Sequence, residues 1–266
     1  GTGTRTFMAM VAAETLGLEP QDITVRIGDT AYPWAILSGG SLTNPSVAPA
    51  VRDAALKAAD HLKNLAAEKL KIASADIVLE NKKLFDKNNP GRSLTLKEVA
   101  KELEREVVFH GERGGMPGGF AYNTFGAHFA EVEVNTETGQ VNVIKVVAVH
   151  EIGRVINRLT AESQVVGGVT QGLSTALFEE RVVDGNTGRM VNTGLQNYKP
   201  ATSMDIPEIV PMFVDLIDPR INNLGTKGLG EPPRIPSSAA VANAVYNAVG
   251  VHIREIPMTP DKVLQA

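Results

Sequence analysis

Apolar positions recur along this chain with two different periods. From Arg5 to Gly17, RTFMAMVAAETLG is apolar on every side before a glycine stop, which predicts a buried helix ending near Gly17. ITVRI at 23–27 alternates and predicts a short strand. Val51, Ala55, Ala58, Ala59, Leu62 and Leu65 share one helical face, so an amphipathic helix is expected from Val47 to about Leu70. ADIVLENKKLFD reads as a hairpin, and Thr95 with Glu98 forms a capping-box pattern for a helix reaching about Glu104. AHFAEVEVN and QVNVIKVVAV alternate on either side of TETG, the pattern of a hairpin with one buried face. Beyond them the pattern predicts a helix over 161–177, a hairpin around GNTGRM and a strand near PMFVDLI. It ends with a helix AAVANAVYNAV capped by Ser237 or Ser238 and a short helix opened by Thr259-Pro260. Helices and hairpins mixed in this way indicate an α+β fold with mixed sheets and packed helices. Inside the 161–177 helix, Gln171 stands among Val165, Val166, Val169, Leu173 and Leu177, and reads as a buried amide that needs partners.

Three stretches follow neither period. GDTAYPWAILSGGSLTNPS is too rich in Gly, Ser, Thr and Pro for a regular element and is expected to be a long ordered loop, of the kind that carries function. GERGGMPGG at 111–119 reads as a glycine-rich linker after a smaller hairpin-plus-helix module over about 71–110, giving two subdomains. LGTKGLGEPP at 224–233 surrounds one carboxylate, Glu231, with glycines and then two prolines. Glycine permits close approach of another group, and proline fixes the angle at which the acid is presented.

With 266 residues, 43% apolar and 21% charged, the chain is in the globular range. A net charge of −4 gives no electrostatic case for nucleic acid. The absence of cysteine excludes a disulfide scaffold, a thiol nucleophile and an iron–sulfur cluster held by this chain. No run of 18 apolar residues is present to span a membrane, and no charged-then-apolar leader is seen, so a cytoplasmic location is expected. A start at Gly1 in the middle of a dense motif is the expectation for an excised or processed piece. HEIGR at 150–154 opens like a zinc-protease motif but lacks the second histidine, and no nucleophile elbow, phosphate loop or dinucleotide fingerprint is complete. What remains is a set of loops offering N–H and hydroxyl donors, suited to a phosphate-bearing or heteroaromatic cofactor, with one acid beside them.

Six strings, taken in order, resemble the C-terminal half of the molybdopterin-binding subunit of the xanthine dehydrogenase/aldehyde oxidase family of molybdenum hydroxylases. They are GTGTRTFMAMVAAETLG, GDT followed by SGGSLTNPSVAPAV, FAEVEVNTETGQV, EIGRVINRLTAESQVVGGVTQGLSTALFEE, YKPATSMDIPEI and GTKGLGEPP. The resemblance implies a molybdenum cofactor-binding region over 1–266, with cofactor loops in 1–70 and 120–266. Gly1, Thr2 and Gly3 would then face the pterin and the metal's oxygen ligands, although many relatives carry Gln at the position of Thr2. Ser38, Gly40, Ser41 and Thr43 would meet the pterin and its phosphate, and Gln171 would sit near the molybdenum. Gly228 and Gly230 would line the loop that presents Glu231, the general base that takes a proton from water-derived oxygen. The metal would be held through the pterin and not by side chains. Glu151 and Arg158 depart from the Asp and Pro common among relatives.

The implied function is the cofactor-binding part of an oxidoreductase that hydroxylates an aldehyde or N-heterocycle. The cofactor is molybdenum–molybdopterin, with the cytosine dinucleotide form left open. The implied partners are an N-terminal molybdopterin-binding domain or subunit, a 2Fe-2S subunit, an FAD subunit and a small-molecule substrate. Without the N-terminal part the chain is expected to be inactive. The alternative is a noncatalytic scaffold or assembly piece of the same fold, which Thr2 in place of Gln favours.

Overall fold

The computed structural model describes residues 2–116, 118–119 and 121–266, so the expected contact at Gly1 lies outside the described residues. The chain divides into two compact units. The first comprises Gly1–Tyr122, Arg154–Asn157 and Ile217–Gly228, and the second Asn123–Gly153, Arg158–Leu216 and Leu229–Ala266.

The first unit opens with α1 (Thr4–Leu16). It ends at Gly17, whose left-handed φ of 61° lets the N–H of Leu18 return to the Ala13 carbonyl. Only Phe7, Val11 and Ala13 are buried, and Met10, Val11, Ala13 and Glu14 line a cavity of about 260 Å³. Residues 23–27 form no strand; alternation alone supplies no ladder, and among the described residues nothing pairs with them. Helix α2 (Thr43–Leu70) starts four residues before the expected Val47 and runs through Pro45 and Pro49. Pro45 sits in the first turn, where a missing N–H costs nothing. Pro49 removes the donor that the Pro45 carbonyl would have met, and Arg113 Nε replaces it at 3.1 Å. The Gly-rich segment at 111 is fastened along this helix. Lys57 donates to the His110 carbonyl, the Glu112 N–H donates to Asp53, and a side chain on Gly111 would strike the Ala50 carbonyl.

After α2 come β1 (Ile77–Glu80), β2 (Lys83–Asp86) and β3 (Asn89–Thr95), an antiparallel sheet in that order, with one strand more than the pattern predicts. Helix α3 (Leu96–Ala100) carries the expected capping box at Thr95 and Glu98 but stops before Glu104. The last turns of α2 cover this sheet, burying Ala66, Ala67, Ile77, Leu84 and Val99 together. A separate core holds Phe7, Val11, Ala48 and Leu224.

The second unit contains β4 (Phe125–Val134), β5 (Val141–Glu151), α4 (Arg158–Leu177), β6 (Glu208–Val214), α5 (Ile235–Val249) and α6 (Pro260–Gln265). β4 and β5 form the expected hairpin, while β6 lies parallel to β5 on its other edge. A parallel neighbour needs a long crossover, and the chain between the two strands contains α4. The sheet is therefore mixed and the architecture α+β. Val146 and Ala148 of β5 pack with Val165, Val169 and Leu173 of α4 and Val241 and Val245 of α5. Neither Ser237 nor Ser238 caps α5, which begins earlier, at Ile235. Ser237 lies inside the first turn and donates to the Pro233 carbonyl at 2.9 Å, and Ser238 donates to that of Gly172 at 2.7 Å. Among the described residues no helix is long and apolar enough to cross a membrane.

Candidate functional site

The glycine-rich decapeptide is divided between the units: Leu224–Gly228 belongs to the first and Leu229–Pro233 to the second. Each half is anchored differently.

In the first unit, Gly228 lies so close to the 38–43 loop that a β-carbon there would strike the Ser41 carbonyl. The loop is turned by two successive left-handed residues, Gly40 at φ 60° and Ser41 at φ 57°. For a serine this conformation costs roughly 1–2 kcal/mol, a strain that clusters at functional sites. Thr43 Oγ1 donates to Ser38 Oγ at 3.0 Å and draws the loop's ends together. Asn44 then ties the loop to the decapeptide, donating to Thr226 Oγ1 at 2.8 Å and to the Lys227 carbonyl at 3.0 Å. Buried Thr226 donates onward to the Arg154 carbonyl at 2.9 Å. Asn222 closes the turn, giving a hydrogen bond to the Thr226 carbonyl and accepting from the N–H groups of Leu224 and Thr226. Sequence reasoning passed over Asn44, Asn222 and Thr226. The available signal was asparagine and threonine flanking a glycine turn, where such side chains bond to nearby backbone.

Two helices start in the same unit's candidate loops. α1 is preceded by Gly3, in the left-handed region at φ 75°, and α2 by Leu42. Neither has a side-chain cap or an acid in its first turn. Phe7 and Val11 pack with Ala48, so the early turns of the two helices lie side by side. Thr2 is exposed, its hydroxyl 2.9 Å from that of Thr4. Uncapped helix starts present N–H donors and positive potential, the requirement for an anionic group.

In the second unit, the 3-10 turn Pro232–Arg234 follows Glu231 and leads directly into α5. It packs on the face of α4 that carries residues 168, 171, 172 and 175. A β-carbon at Gly168 would lie 2.6 Å from Pro233 Cβ, one at Gly172 would lie 2.9 Å from the Arg234 carbonyl oxygen, and Arg234 Nη2 donates to Thr175 Oγ1 at 3.2 Å. Gln171 therefore stands on the helix face that the glutamate turn abuts. Gln171 and Glu231 are both exposed. The expectation of a buried amide at 171 is thus corrected: residues two positions away, such as Val169 and Leu173, project from the opposite side of a helix and bury themselves without it. Gly230 is half-buried just before the acid.

Beneath the turn lies a histidine pair, His128 and His150, whose separation of 22 positions gives no sign of their contact. His150 is fully buried, and its Nε2 is 2.8 Å from Nε2 of His128, the rings meeting edge to face. His128 Nδ1 is 3.1 Å from Ser237 Oγ. Burial, and then the neighbouring His150, push His128 down to about 4, and burial also lowers His150. His150 lies in β5, one residue before its end, and not on a helix, which removes the geometry a zinc-protease reading of HEIGR needs.

The model of the molybdopterin cofactor-binding domain matches residues 1–207. The chain belongs to this family. Over 264 residues it is 35% identical to the aldehyde oxidoreductase molybdenum-binding subunit PaoC of Escherichia coli K12, covering 99% of the chain and 35% of that protein. Among solved structures of the family's fold, quinoline 2-oxidoreductase from Pseudomonas putida 86 matches the whole chain at a TM-score of 0.86 and 27% identity. The copper- and molybdenum-containing CO dehydrogenase in its carbon monoxide reduced state matches at 0.88 and 25%. The chain spans 35% of the first of these proteins and 35% and 34% of the two solved chains.

Proposed function

We propose that the chain is the molybdenum cofactor-binding part of an oxidoreductase that hydroxylates an aldehyde or N-heterocycle with water-derived oxygen. The carrying observation is the cradle of the first unit: two uncapped helix starts side by side, the strained Gly40–Ser41 turn, and Gly228 held against it by Asn44. This donor set fits a pterin and its phosphate. Hydroxyls of Ser38 and Ser41 and the N–H groups at the starts of α1 and α2 supply hydrogen-bond donors, Thr43 spends its hydroxyl hydrogen on Ser38 Oγ and so leaves the Ser38 hydrogen to point to the cofactor, and no acid in either first turn opposes an anion. When bound, the cofactor supplies a Lewis acid that activates water and a two-electron acceptor. Thr2, Gly3, Gly40 and Gly230 contribute backbone contacts.

Glu231 acts as the general base, accepting a proton from the attacking water-derived oxygen, and Gln171 orients groups near it from the same helix face. General-base help is worth about 10² to 10⁴ in rate. The relatives' names, an aldehyde oxidoreductase molybdenum-binding subunit and a quinoline 2-oxidoreductase, support an aldehyde or heterocycle as substrate and a multi-subunit enzyme. In this reading an N-terminal cofactor domain completes the site and further subunits carry 2Fe-2S and FAD. Neither the cytosine dinucleotide form of the cofactor nor the cytoplasmic setting is needed for this reading, though both accord with it.

The test is Glu231→Gln in the assembled, cofactor-loaded enzyme. The expected result is a loss of kcat of about 10²- to 10⁴-fold with molybdenum and pterin content unchanged. Near-normal turnover would remove the assignment of Glu231. Absence of bound pterin from the assembled wild-type protein would instead favour the scaffold reading, which Thr2 supports.

A further inference from the structure

We propose that His150, His128 and Ser237 form a directional hydrogen-bond relay that positions the Pro232–Arg234 turn and, through it, Glu231. The direction follows from counting protons. Ser237 has a single hydroxyl hydrogen, and it points to the Pro233 carbonyl four residues back, at 2.9 Å. Ser237 Oγ must then accept from His128 Nδ1, 3.1 Å away, so the hydrogen of neutral His128 is on Nδ1 and its Nε2 is an acceptor. The 2.8 Å contact between the two Nε2 atoms therefore runs from His150 Nε2–H to His128 Nε2. His150 Nδ1 is left as a bare lone pair, and it is the one buried side-chain polar atom without a partner among the described residues.

Reversing the relay gives a second, independent argument for this direction. His150 would then carry its hydrogen on Nδ1, buried with no acceptor. Orphaned N–H groups are rarer in protein interiors than under-satisfied acceptors. A charged imidazole at either position forces the same orphan, because two Nε2–H groups cannot face each other. The relay is thus neutral, in keeping with the burial that disfavours the charged form of both histidines.

The space around the relay is cleared by glycine. A β-carbon at Gly126 would strike the His150 ring, one at Gly172 would strike Ser237, and one at Gly168 would reach Pro233. Shape places the turn on α4, and the relay supplies the directional bond that fixes the Pro233 peptide, two residues from Glu231. His150 touches nothing that reacts and acts as a positioning residue. The consequence for turnover rests on the reading of Glu231 as general base; the relay itself does not.

The experiment uses the protein in its native, cofactor-loaded assembly. Selective ¹⁵N-histidine spectra, assigned by the signals lost in His128 and His150 variants, are expected to show His128 as the Nδ1–H and His150 as the Nε2–H tautomer. An Nε2–H tautomer at His128 overturns the relay whatever the activity. In kinetics, His150→Met keeps bulk but has no donor, and kcat is expected to fall about tenfold at little-changed KM, since small misplacements of a reacting group carry penalties of this order or larger. His150→Gln restores an N–H donor and is expected to recover most of that loss. Correct tautomers with unchanged kcat in the Met variant overturn the positioning role alone, and a Glu231→Gln variant that keeps its turnover overturns the catalytic reading separately.

Discussion

The two halves of the decapeptide pose one problem and solve it with different chemistry. In both, glycine lets backbone approach backbone or ring without a side chain between, and a buried polar group then fixes the close approach. For Leu224–Gly228 the fixing groups are amides and a hydroxyl: Asn44, Asn222 and Thr226. For the turn after Glu231 they are two imidazoles and a hydroxyl. Amides keep their donors and acceptors at every pH, whereas an imidazole changes both its charge and its hydrogen-bond pattern when it gains a proton. The segment assigned to cofactor binding is held by groups indifferent to acid, and the segment assigned to proton transfer is held by groups that acid can rearrange.

Acidification is the strongest way to break that symmetry. His128 is lowered from 6.5 to about 4, first by burial and then by His150. The unfolded chain, with its ordinary histidine, binds the proton first, so stability is complete above about pH 6.5 and declines as pH falls toward 4. His128 is only half-buried, so solvent screening holds the loss well below the roughly 3 kcal/mol that the whole shift would give. Amide hydrogen exchange resolved by segment provides the check. After correction for intrinsic rates, protection at 234–238 should fall across this window while protection at 222–226 stays constant. Equal loss in both segments would mean that the imidazoles do not set the difference.

A substitution on the α4 ledge tests shape without touching a proton. Gly172→Ala drives a methyl into Ser237 and toward the Arg234 carbonyl, and overpacking of this kind costs about 2 kcal/mol. Gly167→Ala, one turn away on the exposed side with nothing within 4 Å, should instead gain up to about 1 kcal/mol from helix propensity. Thermal unfolding of the two variants is expected to move in opposite directions, and a shared direction would show that the ledge is not tightly packed.

Long periodic segments were legible in the residues alone. The β4–β5 hairpin, α4, α6, the Thr95 capping box and the glycine end of α1 follow from spacing and capping chemistry. The failures were of a tertiary kind. ITVRI has strand spelling but no partner, the α2 start was hidden by prolines whose lost hydrogen bond Arg113 replaces, and Ser237 bonds backward along its helix instead of capping it. At the candidate site the glycine loops stood out because their composition has few other uses. Asn44 and the histidine pair did not, since each matters only through a neighbour distant in sequence, 182 positions away for Asn44 and Thr226 and 22 for the two histidines, whereas Asn222 bonds locally and was legible as a turn residue.

The smallest effect expected is at Asn44, and it sharpens the comparison most. Its amide supplies two hydrogen bonds to the decapeptide, yet it is only half-buried, so water can substitute when it is removed. Thr226 keeps its bond to Arg154, and the turn retains the Asn222 brace. Asn44→Ala should therefore cost about 1 kcal/mol of stability, the net worth of a typical hydrogen bond. Asn44→Asp should cost more, because it turns a carboxylate oxygen toward the Lys227 carbonyl where an N–H donor stood. If the loop at 38–43 and Gly228 hold a pterin together, both variants should lower cofactor retention on dialysis in the order Ala then Asp, while leaving the pH dependence at 234–238 unaltered. A change in that pH dependence would show that the amide and imidazole anchors are not separate devices.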